Sequence, residues 1–288
     1  MIDVLYENIF KKYSDKSINI FLCGKVDGAE RTIREQLREE YKDTFNFNII
    51  FAEEILVSLL KSRDYNLLDL ENDLANDVDV IVLPLESPGT FTELGAFSSF
   101  DKLRDKLLIL NKKEFEDQKS FINLGPIRLL KQRERKNIIY YENNILSSEI
   151  IEKIKNRIRA IHINKKRITG INQFQEYHWN LNNFFNFSRF LLFTIGLFQP
   201  VSKTFLQEKI STLDLLDKRH FNKLFETSEN ILFNQRKIKI VQQGPPTLYG
   251  LSEDGHNLFF DEILATVNYV KKFCKIRLKY LYKQLKTG

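Results

Sequence analysis

A carboxylate that could do chemistry stands just beyond a stretch with the character of a buried strand. The apolar run at residues 79–85 is followed by a Pro- and Gly-rich turn and then by a helix-like pattern that contains Glu93. In α/β sheets, ligands bind beyond the carboxyl ends of the strands, where helix N-termini present free amides to sugars and phosphates. A carboxylate there can attack an anomeric carbon and form a covalent glycosyl-enzyme. Glu93 is therefore the candidate catalytic residue.

The same spacing also has a purely structural interpretation. Thr90 and Glu93 are three residues apart and match a capping box, in which Glu93 would bind only the N-cap amide of a helix. Ser87 followed by Pro88 is a favourable pair for the N-cap and the first helical position. Spacing alone leaves the catalytic and the capping interpretations open.

Glu93 needs a sheet and flanking helices to hold it, and short apolar runs predict them. Strands are expected at residues 17–24, 47–51, 78–85, 107–110 and 137–141, and helices at 25–41, 52–60, 67–76 and 90–105. Near-continuous apolar strands that alternate with helices predict a parallel sheet covered on both faces. Because crossovers are right-handed, the expected fold class is α/β, with a doubly wound, Rossmann- or flavodoxin-like sheet.

The character of the chain changes after residue 146. A basic helical segment at residues 147–170 is interpreted as a connector between a domain at residues 1–146 and a second domain at residues 171–288. The second domain has predicted helices at 183–197, 203–210 and 218–235, hairpin strands at 238–242 and 247–251, and a Lys-rich C-terminal helix. Three helices followed by a hairpin around a Gly-Pro-Pro turn resemble a winged helix-turn-helix, so we expect a mainly helical winged-helix domain.

The net charge of +6 conceals an uneven distribution. Residues 1–130 contain 17 Lys and Arg against 24 Asp and Glu, whereas residues 131–288 contain 27 against 14. A basic half attracts polyanions by long-range electrostatics, and nucleic acid is the commonest of them. A merely solvated basic surface, or a winged helix used only for protein contacts, would have the same composition. The candidate nucleic-acid contacts are Lys218, Arg219, Lys223, Arg236, Lys237 and Lys239.

Composition also argues against several classes of protein. Cys23 and Cys274 lie far apart in apolar segments, which favours buried thiols in a reducing cytoplasm over a disulfide. No cluster has metal-ligand spacing, so no metal site is expected. The start of the chain lacks the layout of a signal peptide, and the apolar run at residues 190–198 is about half of the ~20 residues that span a bilayer. We therefore expect a cytoplasmic protein without a membrane partner.

Three segments together resemble nucleoside 2-deoxyribosyltransferases: residues 20–24, 70–82 and 86–97. In that family a Gly-Thr/Val-x-x-Glu-x-Gly motif follows the central strand, and its Glu is the nucleophile. The motif stands here as GTFTELG at residues 89–95, with Glu93 at the position of the nucleophile. With residues 119–130 included, the chain is more closely similar to effector proteins encoded beside retron reverse transcriptases. Those effectors pair a deoxyribosyltransferase-like N-glycosidase domain with a winged-helix domain.

The resemblance implies roles for further residues. Gly24, Gly89 and Thr90 would line the phosphate and ribose side of the substrate site. Glu71 stands where the family places a carboxylate that orients the ribose or the nucleophile, although a solvated helix residue would fit the pattern as well. Asn123 would be a site residue contributed across a subunit interface of a homo-oligomer, with a structural Asn in a turn as the alternative.

One position departs from the deoxyribosyltransferase pattern. In that family an Asp six residues before the nucleophile contacts the base, whereas this chain has Ser87 there. A hydroxyl offers a weaker hydrogen bond and no fixed charge, so base removal by water is expected in place of base exchange. NAD is the preferred candidate, as a substrate and not a cofactor, because its cationic nicotinamide can leave without a general acid. All four histidines lie in the second half of the sequence.

The resemblance also implies partners. A retron reverse transcriptase and its branched RNA–DNA product (msDNA) would hold the glycosidase inactive until phage infection disturbs them. Two other readings stay open. The enzyme could act on nucleoside monophosphates or DNA bases, since a Gly-Thr-x-x-Glu motif also occurs in phosphoribohydrolases of the lysine-decarboxylase-like group. Alternatively, the chain could be a transcription regulator with a nucleotide-sensing α/β domain and a DNA-binding winged helix.

Overall fold

Two compact units make up the chain. The structure, a computed structural model, describes residues 2–12, 17–25, 31–44, 46–56, 59–61, 65–260 and 267–287. One unit, called here the α/β unit, comprises Lys16–Phe174, and the other, the helical unit, comprises Met1–Asp15 together with Gln175–Gly288. This division differs from the predicted boundaries in two places. The first residues of the chain group with the helical unit, and most of the predicted connector groups with the α/β unit.

The described helices follow the predicted alternation with the strands. In chain order they are α1 Ile2–Asn8, α2 Ile33–Tyr41, α3 Ala52–Leu56, α4 Leu67–Asp77, α5 Pro88–Ser99, α6 Asp101–Arg104, α7 Arg128–Glu134, α8 Ser148–Trp179, α9 Phe184–Phe198, α10 Lys203–Ile210, α11 Phe221–Asn234, α12 Glu253–Leu258 and α13 Val267–Thr287. A π-helical stretch, Asn123–Ile127, leads directly into α7. None of the helices in the described ranges is both long and apolar enough to cross a membrane.

The α/β unit is built on a five-stranded sheet. Its strands are β1 Ile18–Leu22, β2 Phe47–Ile50, β3 Val80–Pro84, β4 Leu107–Lys112 and β5 Ile138–Tyr141. They lie in the order β2-β1-β3-β4-β5, and every neighbouring pair is parallel. This is the flavodoxin-like order of a doubly wound sheet. The predicted α/β fold with a parallel sheet is therefore confirmed.

The hydrophobic core of the sheet explains why α8 is more than a connector. Side chains alternate along a strand, so Val80 and Val82 share one face of β3. The same core cluster contains Ile154, Ile158 and Ile161 of α8. These three residues are spaced by four and three, and they form one stripe of the helix. The first part of α8 thus packs as a layer of the α/β unit.

The strand order places a switch point between β1 and β3. The chain leaves β1 towards β2 on one side of the sheet and leaves β3 towards β4 on the other. A crevice opens beyond the carboxyl ends of two such strands, and in open α/β sheets it is where ligands bind. Here it lies beyond Leu22 and Pro84, and β3 is followed by the loop that leads into α5.

The helical unit has the order of elements that the sequence predicts. Helices α9, α10 and α11 are accompanied by β6 Val201–Ser202, β7 Ile238–Gln242 and β8 Leu248–Leu251, which form an antiparallel sheet in the order β6-β8-β7. The predicted hairpin of β7 and β8 is confirmed. Ser202 is the N-cap of α10, since its Oγ accepts a hydrogen bond from the Phe205 amide at 3.1 Å. The identification of this unit as a winged-helix domain stays a prediction.

Helix α11 begins later than the sequence suggests. The pattern predicts a start at residue 218, whereas the helix starts at Phe221. The Asp217 carboxylate accepts a hydrogen bond from the Arg219 amide at 3.0 Å, and the Asp217 carbonyl accepts one from the His220 amide at 3.1 Å. Such Asp-centred turns compete with helix formation, so residues 217–220 precede the helix as a turn.

Candidate active site

The loop between β3 and α5 is organised by Ser87 and Thr90. Ser87 is the N-cap of α5, and its Oγ accepts a hydrogen bond from the Thr90 amide at 3.4 Å. The Thr90 hydroxyl accepts from the Ser87 amide at 3.1 Å and donates to the Ser87 carbonyl at 2.8 Å. The capping box is therefore formed by Ser87 and Thr90, with Pro88 at the first helical position. The interpretation of Thr90 and Glu93 as a capping box is therefore wrong, and Glu93 does not cap the helix.

Glu93 lies within the second turn of α5 and reaches the end of β1. Its side chain is partly buried, and its Oε2 atom is buried with no hydrogen-bond partner among the described residues. Cys23, the residue after β1, lies close enough to Glu93 for the thiol and the carboxylate to affect each other's pKa. Glu93 thus lies beside the end of β1 with a buried carboxylate oxygen that no hydrogen bond engages among the described residues.

The electrostatic surroundings of Glu93 favour its neutral form. Burial is the largest cause and, with the nearby carboxylate of Glu71, raises the pKa of Glu93 to about 7. The Cys23 thiol and the Arg34 guanidinium act in the opposite direction and lower this pKa. A carboxyl with a pKa near neutrality is half ionised at pH 7, so it can serve as a nucleophile under physiological conditions.

Two further partly buried carboxylates belong to this end of the sheet. Glu71 lies on α4, and burial together with the charge of Glu53 on α3 raises its pKa. Glu86, just after β3, accepts a hydrogen bond from the Ile33 amide at 3.0 Å, although burial still raises its pKa. That hydrogen bond attaches the N-terminus of α2 to the end of β3. The crevice is therefore acidic, and one of its carboxylates has a structural role.

Arg34 provides the compensating positive charge. Its side chain is 7% exposed, pairs with Glu53 and lies over the Phe51 ring at 4.5 Å from guanidinium to centroid. The position of Arg34 also explains why residue 24 is a glycine. The φ of Gly24 is +135°, in a region that glycine favours. A Cβ at Gly24 would stand 2.8 Å from the Arg34 Cβ. Gly24 therefore lets the end of β1 approach α2 closely.

The predicted site residues fall into two groups. The carboxylates of Glu71 and Glu93 converge at the crevice, beside the strand end that carries Gly24, while Gly89 is exposed in the first turn of α5. Thr90 is 2% exposed and its hydroxyl is engaged with the loop backbone, so in this structure it positions the loop. Whether these residues contact a substrate remains a prediction.

Asn123 stabilises its own loop through hydrogen bonds to the backbone. Its Nδ2 donates to the carbonyls of Phe115 at 2.6 Å and Gln118 at 2.7 Å, which fixes the turn that precedes α7. Its Oδ1 is buried without a hydrogen-bond partner in the described part of the chain. The structural interpretation of Asn123 is therefore supported, and a role across a subunit interface stays a prediction.

Four residues of the crevice were missed by sequence reasoning: Cys23, Arg34, Glu53 and Glu86. The sequence pattern could have indicated one of them. Arg34 precedes Leu37 by three residues and so borders the apolar face of α2, where a charged residue signals a specific partner. The positions of the other three residues in the crevice depend on which strands are neighbours. No local sequence pattern predicts that order.

A cavity of about 450 Å³ lies elsewhere, at the ends of β4 and β5, and none of the crevice residues lines it. The Tyr141 hydroxyl in its wall is buried and has no hydrogen-bond partner among the described residues. Burial and the charges of Glu86 and Glu114 raise the pKa of Tyr141. The predicted substrate site is therefore separate from this cavity.

The predicted nucleic-acid contacts differ in exposure. Lys218 and Arg219 precede α11 and are exposed, as are Arg236 and Lys239 near β7, while Lys237 is partly exposed. Asp217 accepts hydrogen bonds from His220 and Arg219, which lower the pKa of Asp217 to about 2. Lys223 is only 9% exposed, so its side chain does not support the predicted phosphate contact.

The raised pKa of Glu93 predicts a pH-dependent stability. The folded protein binds a proton that the unfolded chain releases, so the free energy of unfolding should fall as pH rises from about 4.5 through about 7. Glu93→Gln removes this penalty and should be more stable than the wild type at pH 8, by an amount on the order of 2 kcal/mol. Below pH 4.5 the free energies of unfolding of Glu93→Gln and the wild type should converge. Urea unfolding at each pH measures both.

The control for this experiment is Glu226→Gln, because Glu226 is exposed on α11. Its unfolding curve should follow that of the wild type at every pH. A constant offset between Glu93→Gln and the wild type from pH 4 to pH 8 would show that Glu93 has an ordinary pKa.

Known proteins resemble this chain across both units. Residues 30–243 match the family model described as "STM3845 retron effector protein". An Escherichia coli protein named "Retron Ec86 putative ribosyltransferase/DNA-binding protein" is 33% identical over 243 residues, which cover 82% of this chain and 78% of that protein. Its retron Ec73 counterpart of the same description is 40% identical over 126 residues, covering 41% of this chain and 39% of that protein. The chain belongs to the family of retron effector proteins.

Proposed function

We propose that the α/β unit is an N-glycosidase that cleaves the bond between base and ribose of a nucleotide, with Glu93 as the nucleophile and NAD as the preferred substrate. One observation carries this proposal. Glu93 has a buried, unengaged carboxylate oxygen beside the β1/β3 switch point and no capping role. A group that contributes little to stability and stands where ligands bind is better explained by chemistry than by folding.

The reaction would proceed in two displacements. A Glu93 oxygen attacks the anomeric carbon as the bond to the base nitrogen breaks, and the electron pair of that bond returns to the leaving ring. For nicotinamide the pair neutralises the pyridinium charge, so no proton is needed. Water then attacks the same carbon, its proton passes to a neighbouring carboxylate such as Glu71, and the bond to Glu93 breaks. The products are the free base and a ribosyl group with a hydroxyl.

The composition of the crevice supports a cationic base as leaving group. Glu53, Glu71 and Glu93 approach one another, and Arg34 already pairs with Glu53. The surplus of negative charge favours a positively charged ring over a neutral one. His162, the one histidine of the α/β unit by sequence, lies 3.7 Å from Asp79, at the amino end of β3, away from the crevice.

Ser87 further separates this site from a base-exchanging one. Ser87 is the N-cap of α5, and its hydroxyl accepts a hydrogen bond from the Thr90 amide. A neutral hydroxyl that also serves as the cap lacks the fixed charge of the Asp that contacts an incoming base in deoxyribosyltransferases. Water is then the acceptor that the site supports, and hydrolysis is the proposed outcome.

We assign the activity to retron defence against phage. The two Escherichia coli relatives carry both ribosyltransferase and DNA-binding in their names. By this proposal the helical unit, as a winged-helix domain, contacts the retron reverse transcriptase and its msDNA, which restrain a homo-oligomeric toxin in the cytoplasm. Exposed basic residues on either side of α11, such as Arg219 and Arg236, are suited to nucleic-acid phosphates.

Base release provides the test of the enzymatic proposal. Protein with and without its retron partners is incubated with NAD, nucleoside monophosphates or DNA, and free base is measured by chromatography. Nicotinamide release is expected, and Glu93→Gln should reduce it by at least about 10³-fold because the nucleophile is lost. Glu226→Gln, on the surface of α11, is the matched control.

Other outcomes of the same experiment are informative. Undiminished nicotinamide release by correctly folded Glu93→Gln would refute the role of Glu93. Release of another base alone would move the substrate to nucleoside monophosphates or DNA. Nucleotide binding without any turnover, together with sequence-specific duplex binding, would favour the transcription regulator instead.

Partner binding has its own test. If phosphate contacts dominate, the affinity for the reverse transcriptase–msDNA complex should fall steeply as the salt concentration rises. Lys239→Ala should lower the affinity, and it should reduce the slope of log affinity against log salt concentration by about one. Lys153→Ala, an exposed lysine of α8 in the α/β unit, serves as the control. Salt-independent association would show that the helical unit contacts protein rather than phosphate.

A further inference from the structure

Helix α13 carries only one sign of charge. Its 21 residues include six Lys and one Arg and no Asp or Glu. Like charges that lie three or four residues apart on a helix repel each other and destabilise it. The lysines of α13 therefore cost stability unless an anion from outside the helix offsets their repulsion. This composition favours a negatively charged partner.

One face of α13 is held against the rest of the helical unit. Phe273 and Ile276 on this face are buried. Beside them, the Arg277 guanidinium donates hydrogen bonds to the carbonyls of Leu197 at 2.7 Å and Gln199 at 3.3 Å, at the C-terminal end of α9. The last carbonyls of a helix have no partner within it, so a cation there stabilises both helices. These contacts determine which face of α13 points outwards.

The outward face of α13 carries lysines at regular spacing. Lys271, Lys275 and Lys279, called here the lysine row, are all exposed. Because they are four residues apart, they lie along one side of the helix, about 6 Å from one to the next along its axis. Successive phosphates of one strand in duplex DNA advance by about 3.4 Å. The row is therefore long enough to contact several phosphates of one nucleic-acid backbone.

Helix α11 is less suited to this role than its position in the chain suggests. It precedes the hairpin of β7 and β8, which is where a winged helix has its DNA-reading helix. The exposed side chains of α11 are those of Asn222, Glu226 and Asn234, and its one cation, Lys223, is 9% exposed. A carboxylate on the exposed face repels phosphates. The charges therefore favour α13 over α11 as the helix that faces a polyanion.

Nucleic acid fits the outward face of α13 better than a protein or a membrane does. Leu278 and Leu281 lie beside the lysine row and are 65% and 42% exposed, so a protein contact has some apolar surface to use. Protein interfaces are, however, depleted in lysine relative to the rest of the surface. A helix that lies on a membrane inserts its apolar face, whereas the apolar face of α13 is already packed.

We propose that α13 is the helix of this unit that contacts nucleic acid, and that the lysine row binds the backbone phosphates. This inference rests on the proposed contact between the helical unit and msDNA. Each lysine that neutralises a phosphate releases a condensed counterion, so binding through the row depends strongly on salt. Lysine acts on a phosphate as a flexible point charge, and phosphate contacts carry no sequence information directly.

The experiment measures the binding of protein-free msDNA to the full chain by fluorescence anisotropy, between about 50 and 300 mM salt. The variant Lys271→Gln/Lys275→Gln/Lys279→Gln should reduce the slope of log affinity against log salt concentration by about 2 to 3. Its affinity should fall roughly 100-fold at about 0.1 M salt, because three phosphate contacts are lost. Gln and Lys have similar helix propensities, so the helix should be retained.

Two matched variants make this result specific. Lys119→Gln/Lys136→Gln/Lys153→Gln removes the same charge from exposed lysines of the α/β unit and should keep the affinity and the salt slope of the wild type. Arg in place of all three lysines of the row keeps the charge and should bind within about threefold of the wild type, since Arg also binds phosphate. Circular dichroism and thermal unfolding of each variant verify that it is folded.

The outcomes separate this inference from the proposed function. An unchanged slope in the lysine-row variant, with a reduced slope in Lys239→Ala, would overturn the role of α13 and leave the nucleic-acid contact of the helical unit in place. An equal loss in the matched triple variant would also overturn it, because net charge alone would then explain the effect. If the wild type does not bind protein-free msDNA, the proposed nucleic-acid contact itself fails. Binding needs no turnover, so the result is independent of base release.

Discussion

The burial of carboxylates close to one another is the constraint on which the rest of the site depends. Glu93 and Glu71 approach each other in a partly dehydrated crevice, and each would be more stable as a neutral group. Arg34 offsets this cost, but it is itself buried and needs Glu53 as a partner. The result is a balance that brings the pKa of Glu93 to about 7, with ionisation available but not complete.

The fold provides the rigid frame that this balance requires. Parallel pairing of β1 with β3 places Cys23 and the α5 loop side by side. Glu86 joins the start of α2 to the end of β3, and the Ser87–Thr90 capping box determines where α5 begins. Because each of these contacts uses backbone groups, the crevice is built by secondary structure, and only a few side chains remain free for chemistry. A preorganised carboxylate of this kind suits nucleophilic attack.

Much of this arrangement could be predicted from the sequence, and the limits have physical causes. Strand positions follow from apolar runs, which are a local feature of the sequence, and the pairing of Glu71 with Glu93 follows from the family resemblance. The competing capping boxes at Ser87 and Thr90 overlap in sequence, and only hydrogen bonds decide between them. Contacts of Cys23 arise from the strand order, which is a non-local property. Charge alone also does not reveal that Lys223 lies on a buried face of α11.

The most direct measurement is mass spectrometry of the protein quenched in acid during its first turnovers with NAD. A nucleophilic Glu93 predicts a peptide that carries one ADP-ribosyl group on Glu93 as an ester, which hydroxylamine removes and Glu93→Gln lacks. A stable adduct on Glu71 instead, or nicotinamide release by Glu93→Gln at the wild-type rate, would contradict the assignment of Glu93 as the nucleophile.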